Sequence, residues 1–218
     1  MCATNRDNIV EDKYMKYDLL YKLLSNVYDL LDVIYFRNEG KNPRTAINDY
    51  IHSEDAVLDI CTGTASNAIR IAKQNKNAEI VGIDMSADMI KLAKKKVAKE
   101  KVSVSLFEMD ATDLKFKDEY FDIVIISLVL HEIAPSIAEK IILESKRVLK
   151  PEGKIIVMEW EVPKKKWQKL LFMPIHLLEP KSYKSFIRLD MKQYFEKFGL
   201  HVKEIKHCDY TKVIELVR

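Results

Sequence analysis

From Ala56 onward the chain alternates short β-branched runs with helical patterns, and this restricts its fold more than any other feature. The runs "AVLDI", "AEIVGID", "VSVSLFEMD", "FDIVIISLVL" and "GKIIVMEW" read as strands. Between them, "ASNAIRIAKQN", "SADMIKLAKKKVAKE" and "SIAEKIILESKRVLK" read as helices. Strand, helix and strand at this spacing imply right-handed crossovers, a mainly parallel sheet and helices on both of its faces. A helix in "MKQYFEKFGL" and strands in "HVKEIKHC" and "KVIELVR" follow. The last two strands stand at hairpin spacing, too close for a parallel crossover, so one strand at that edge runs antiparallel. The fold class is α/β, a doubly wound sheet.

Two segments lie outside the alternation. Residues 14–36 contain no Gly or Pro and read as one or two amphipathic helices, with Leu20, Leu24, Val27, Leu31 and Ile34 along one face. Tyr14, Tyr21, Tyr28 and Tyr35 recur every seven residues and would share a face of a continuous helix, either packing it onto the domain or covering a ligand. Residues 163–187 begin "PKKKWQKLLFMPIHLLEP" and read as a helical cover broken at Pro174. The mix of Lys, Trp, Leu and Phe in 163–178 also suits transient contact with a membrane surface. The chain therefore divides into an N-terminal helical cover, 1–43, and an α/β domain, 44–218, with 163–187 as an inserted cover.

Composition narrows the classes of function. Lys and Arg number 36 against 33 Asp and Glu, so no charge excess argues for a polyanionic partner, and nucleic acid is not expected. Residues 91–101, "KLAKKKVAKEK", read as a solvated helix face. Cys2, Cys61 and Cys208 have no metal-ligand spacing, no metal is expected, and their odd number fits a reducing compartment. With no secretory signal pattern and no run long enough to span a bilayer, the expected location is the cytoplasm.

In an open parallel sheet, ligands collect at the carboxyl ends of the strands. The residues ending the first four strands are Asp59, Asp84, Asp110 and Ser127. Asp84 follows Gly63 by 21 residues, the separation at which an acid reaches an adenosine ribose, and this alone fits NAD and S-adenosylmethionine equally. Two features separate them. Cys61 and Ala65 stand where glycines would let a pyrophosphate approach, and Asp59 repels a phosphate but favours an ammonium. Asp110 can accept from an adenine amino group beside the backbone of Ala111, and Met85 can lie on the adenine face. Each acid can instead cap the helix that follows it. Cys61 reads as a packing residue more readily than as a nucleophile.

"VLDICTGTA", "VGIDMSADMIKLAKKK", "MDATDLKFKDEYFDIVIIS" and "RVLKPEGKIIVMEW" resemble the successive motifs of class I S-adenosylmethionine-dependent methyltransferases, most of all the ubiquinone and menaquinone biosynthesis C-methyltransferase group. The resemblance implies a Rossmann-like seven-stranded sheet, order 3-2-1-4-5-7-6, with a reversed last strand. It also implies that the turn from Asp59 through Cys61, Gly63 and Thr64 holds the amino acid end of S-adenosylmethionine. Asp84 then meets the ribose, Asp110 and Ala111 the adenine, and Ser127 underlies the sulfonium; the product is S-adenosylhomocysteine. Where quinone-modifying relatives tend to have Arg-Asn after strand four, this chain has His131 and Glu132.

Methyl transfer from a sulfonium proceeds by proximity in a dry site, without an obligatory catalytic side chain. If the acceptor must lose a proton, His131 is the best-placed base; otherwise His131 and Glu132 cap the next helix or pair together. Tyr21, Tyr28, His131 and Glu132 are the substrate-pocket candidates. The Tyr- and Leu-rich covers favour a small, partly apolar substrate such as a quinone precursor, a lipid or an aromatic metabolite. A domain that binds the cofactor without turnover is the alternative; a nucleic-acid methyltransferase is disfavoured, because no Asn-Pro-Pro-aromatic tetrapeptide follows strand four.

Overall fold

At the centre of the sheet both faces are dry, which is why the central strands read as unbroken apolar runs, whereas the edge strands are largely exposed. The computed structural model of the protein describes residues 35–178 and 181–218. Strands β1 (Ala56–Ile60), β2 (Glu79–Asp84), β3 (Ser105–Glu108), β4 (Phe121–Ser127) and β5 (Leu149–Trp160) run parallel. Then β7 (Thr211–Val217) lies antiparallel to β5 and pairs with the edge strand β6 (His201–His207). The order β3-β2-β1-β4-β5-β7-β6 is the one expected, with β7 as the reversed strand.

Seven α-helices occur among the described residues: α1 (Pro43–Asn48), α2 (Ser66–Gln74), α3 (Ala87–Glu100), α4 (Pro135–Val148), α5 (Lys166–Leu178), α6 (Lys181–Phe186) and α7 (Met191–Glu196). Val57, Ile80, Ile125 and Ile156 pack on one face against Ala68 and Ile69 of α2 and Ile90 and Ala93 of α3. Leu58, Val81, Val124 and Val157 pack on the other against Ile141 and Ile142 of α4 and Phe195 of α7. The two-residue period of a strand then decides where each strand-end residue points. Asp59, Asp84, Ser127 and Trp160 belong to the α2–α3 face, and Glu159 to the α4–α7 face.

Three boundaries differ from the sequence expectation. The third strand is only Ser105–Glu108. The strand expected from Gly153 starts at Leu149, because a register shift between Phe121 and Ile123 lets β5 pair on both sides of an irregularity. Gly153 is needed there, since a Cβ would lie 2.8 Å from the Asp122 carbonyl oxygen. Pro174 does not break its helix: α5 runs through it to Leu178. Pro174 and Leu170 are both exposed, so water can reach the Leu170 carbonyl that loses its amide donor.

The start of the described chain meets α5 over the end of β5. The rings of Tyr35, Phe172 and Trp160 meet edge to face, Tyr35–Trp160 at 5.9 Å and Trp160–Phe172 at 5.6 Å. Tyr210 closes the cluster, 5.0 Å from Tyr35, and the Tyr35 hydroxyl donates to the Leu171 carbonyl at 2.8 Å. The other tyrosines of the heptad, Tyr14, Tyr21 and Tyr28, lie outside the described residues.

Candidate active site

The turn leaving β1 carries three residues in the left-handed region: Cys61 at φ 54°, Gly63 at 55° and Ala65 at 61°. At Cys61 and Ala65 a glycine would therefore relieve backbone strain as well as make room, and an L-residue there costs about 1–2 kcal/mol. Packing offsets that cost. Ala65 is fully buried, Cys61 packs against the β1–β4 core, and Thr62 donates its amide to the Ile83 carbonyl at 2.8 Å. A Cβ on Gly63 would meet nothing within 4 Å, so the outer side of the turn is open.

Beneath that opening, Asp59 is 1% exposed. Its Oδ2 accepts from the Thr62 hydroxyl at 2.6 Å, and its buried Oδ1 has no hydrogen-bond partner among the described residues. Burial pushes its pKa up to about 6, against the opposing pull of the Thr62 hydrogen bond, the Arg44 charge and the nearby Asn67 amide. A buried carboxylate oxygen without a donor is costly unless a ligand supplies one, and a cationic donor suits it best.

Asp84 ties the turn to β2: Oδ2 accepts from the Gly63 amide at 2.9 Å and Oδ1 from the Ser86 amide at 3.0 Å. It does not cap α3, a role taken by Ser86, whose hydroxyl accepts from the Met89 amide. Asp110 forms a local turn, accepting from the amide and hydroxyl of Thr112 at 2.8 and 2.9 Å, next to buried Ala111. No helix follows it to be capped. Met85 is exposed beside Asp84, and Thr64 lies 3.2 Å from the Lys96 ammonium, so one lysine of the 91–101 run bends back to the turn. Burial first, and then Asp84, Asp59, Glu132 and Asp110, raise the Cys61 thiol. That keeps it protonated.

On the β4–β5 side, His131 Nδ1 stands 2.5 Å from Glu159 Oε2, and both side chains are 1% exposed. Glu159 Oε1 accepts from the Leu130 amide at 2.9 Å, which leaves Oε2 to the imidazole. His131 Nε2 is 3.8 Å from Glu132 Oε1, and Tyr183 and Phe186 of α6 pack over the ring. Neither residue caps α4, whose N-cap is Ala134 without a side-chain bond. Lys212 pairs with Glu159 in the β5–β7 ladder, its pKa lowered foremost by burial.

Three participants were missed by sequence reasoning. Glu159 lies 28 residues from its partner. Asn67, in the first turn of α2, donates to the Ser127 hydroxyl at 2.8 Å and accepts from Arg44 of α1 at 2.7 Å. Only the position of Asn67 just after the turn could have flagged it; Arg44 and Glu159 carry no local signal.

A methyltransferase domain family matches residues 57–153. A demethylmenaquinone methyltransferase of Lactiplantibacillus plantarum is 34% identical over 149 residues, covering 66% of this chain and 62% of that protein. The namesake of Bacillus cereus is 30% identical over 210 residues, covering 86% of this chain and 88% of its own. The chain belongs to the demethylmenaquinone methyltransferase family. It lies among the class I S-adenosylmethionine-dependent methyltransferases. It spans only about six tenths of the length of several of these relatives, 62% or 63% in the first four. An S-adenosylmethionine-dependent methyltransferase of Aquifex aeolicus has the same fold, with a TM-score of 0.69 at 18% identity, over 88% of this chain and 96% of that one.

The methyltransferase cofactor S-adenosylmethionine fits the residues present. It is a cation with an ammonium to offer Asp59 Oδ1, and it has no pyrophosphate to be repelled by Asp59 and Asp84.

Proposed function

We propose that the protein transfers the methyl group of S-adenosylmethionine to a small apolar acceptor with an ionisable hydroxyl, a hydroquinone of the demethylmenaquinone kind. The observation that carries this reading is the buried Asp59 with its Oδ1 lacking a donor under an open turn. Asp59 would hold the ammonium of the cofactor, Arg44 its carboxylate, Asp84 the ribose, and Asp110 with the Ala111 amide the adenine. Met85 would lie on the adenine, while Cys61, Thr64 and Ser127 line the approach to the sulfur. Bound there, the cofactor supplies a methyl group on a positively charged sulfur.

The protein's own part is exclusion of water and management of a proton. Residues 35–43 and 163–178 would cover the site, and the Tyr35, Trp160 and Phe172 cluster is the seam between them. Glu159 accepts the Nδ1 proton of His131, which leaves Nε2 as the basic nitrogen of the neutral ring. His131 Nε2 takes the hydroxyl proton, and Glu132 and Tyr183 stand beside that acceptor position. Because the ring lies under α6, this reading requires α6 to shift when the acceptor enters. An acceptor of this kind dissolves in lipid, so the enzyme meets it through transient contact of residues 163–178 with a membrane surface.

The test is transfer of a labelled methyl group from the cofactor to reduced demethylmenaquinone. Glu159→Gln and His131→Asn should each lower kcat on the order of 10²-fold with the cofactor Kd unchanged. In Glu159→Gln the pH–rate profile should change along with the rate, since the carboxylate that fixes the imidazole tautomer is gone. Unchanged rates and profile in both variants would make the pair structural, and cofactor binding without transfer to any acceptor would leave a binding domain.

A further inference from the structure

One helix of this protein wears apolar side chains on both sides. In α5, Phe172 and Ile175 are buried against the domain, while Trp167, Leu170 and Leu177 are 58%, 67% and 73% exposed. Trp167, Leu170, Leu171, Pro174 and Leu177 follow helical spacing and make one outward stripe. At the start of the helix stand Lys164, Lys165, Lys166 and Lys169, all exposed and without an ion-pair partner among the described residues. The first turn of α5 holds no acid, so these lysines repel one another at the positive end of the helix dipole.

We infer that this outward face of α5 docks on an anionic lipid bilayer, the stripe entering the headgroup boundary and the lysines meeting lipid phosphates. Charge and shape argue together. The lysines call for a polyanion, and the row of Trp and Leu beside them calls for a partner with an apolar layer, which nucleic acid does not offer. With 13 residues, α5 is too short to cross a bilayer, and among the described residues no helix is long and apolar enough to do so. It therefore lies along the surface. The inner side of α5 meets Trp160 at the carboxyl end of β5, the rim that also holds Asp59, Asp84 and Ser127. Docking thus turns the acceptor side of the site toward the bilayer. That purpose rests on the proposed apolar acceptor; the docking itself does not.

The full-length protein, without cofactor or acceptor, is floated with vesicles of phosphatidylcholine alone or mixed with phosphatidylglycerol. Binding should be confined to the anionic vesicles and should fall when salt rises from about 0.1 M to about 1 M. Vesicles should shield Trp167 from acrylamide, while Trp160 is shielded throughout. Leu170→Asp with Leu177→Asp should weaken binding more than tenfold, and Lys165→Glu with Lys169→Glu at least as much, each lysine counting for about fivefold. Equal binding to both vesicle types, no binding, or Trp167 already shielded in the free protein would overturn the inference. So would a self-associated protein that Leu170→Asp makes monomeric without any vesicle binding, because a second copy would then cover the stripe. Vesicle binding without methyl transfer would count against the proposed function alone. Transfer in detergent without vesicle binding would count against docking alone.

Discussion

The two halves of the strand-end rim are built on opposite plans. Around β1, β2 and β3 the side chains are acids held within their own loops or to the neighbouring strand: Asp59 to Thr62, Asp84 to Gly63 and Ser86, Asp110 to Thr112. Around β4, β5 and β7 the side chains include aromatic rings and the buried His131–Glu159 pair, joined across long stretches of chain. The first half leaves a buried carboxylate oxygen without a donor and suits a small cation. The second pairs its buried histidine with a glutamate of its own and suits an apolar body. A methyl-transfer site needs both, one to hold the donor and the other to keep water away from the acceptor.

The contrast can be broken most directly at Trp160, which touches Tyr35, Phe36 and Phe172. Trp160→Ala should cost about 3–5 kcal/mol of stability, read by urea unfolding, while the protein that remains folded keeps its cofactor affinity. A parallel loss of affinity would mean that the halves are not separate. Asp84→Ala should do the reverse. Removing the acceptor of two amide bonds at the turn should weaken cofactor binding by about 1–3 kcal/mol in calorimetry, with a smaller change in unfolding.

The smallest effect is a pH dependence of the donor half. The folded pKa of Asp59 is raised to about 6 by burial, so its ionisation removes stability as pH climbs from about 4 toward 6. A bound ammonium favours the ionised form, so cofactor affinity should fall by up to about tenfold per pH unit below 6. Calorimetry across that range should show the slope in the wild type, and its persistence in Asp59→Asn would assign it to another group.

The placement of the acids around β1, β2 and β3 was legible in the sequence almost residue by residue. Asp59, Gly63, Asp84 and Asp110 sit at strand ends that the apolar runs mark, and the bonds that set them in place span three residues or join neighbouring strands. The conformation of the turn was less legible: Cys61 and Ala65 stand at glycine positions, yet neither side chain by itself dictates the positive φ that both adopt. Pro174 misled for a related reason. A proline is disruptive only where its missing donor cannot be replaced by water, and solvent access is a property of the packed molecule.

The rim around β4, β5 and β7 was legible only as a list of apolar and aromatic residues. That His131 meets Glu159 depends on the register that sets Ser127 beside Met158. That Arg44 reaches Asn67 depends on how α1 lies against α2.

The order of strands and helices, the reversed edge strand and the acids at the strand ends were determined by the sequence alone. Periodicity, turn length and strand ends are near-neighbour properties written in consecutive residues. Which acid would be left buried without a donor, which histidine would gain a carboxylate, and which side of α5 would stay outside were decided by tertiary structure. Burial and pairing depend on residues that are distant in the chain, and in the low-dielectric interior they change what each group can do.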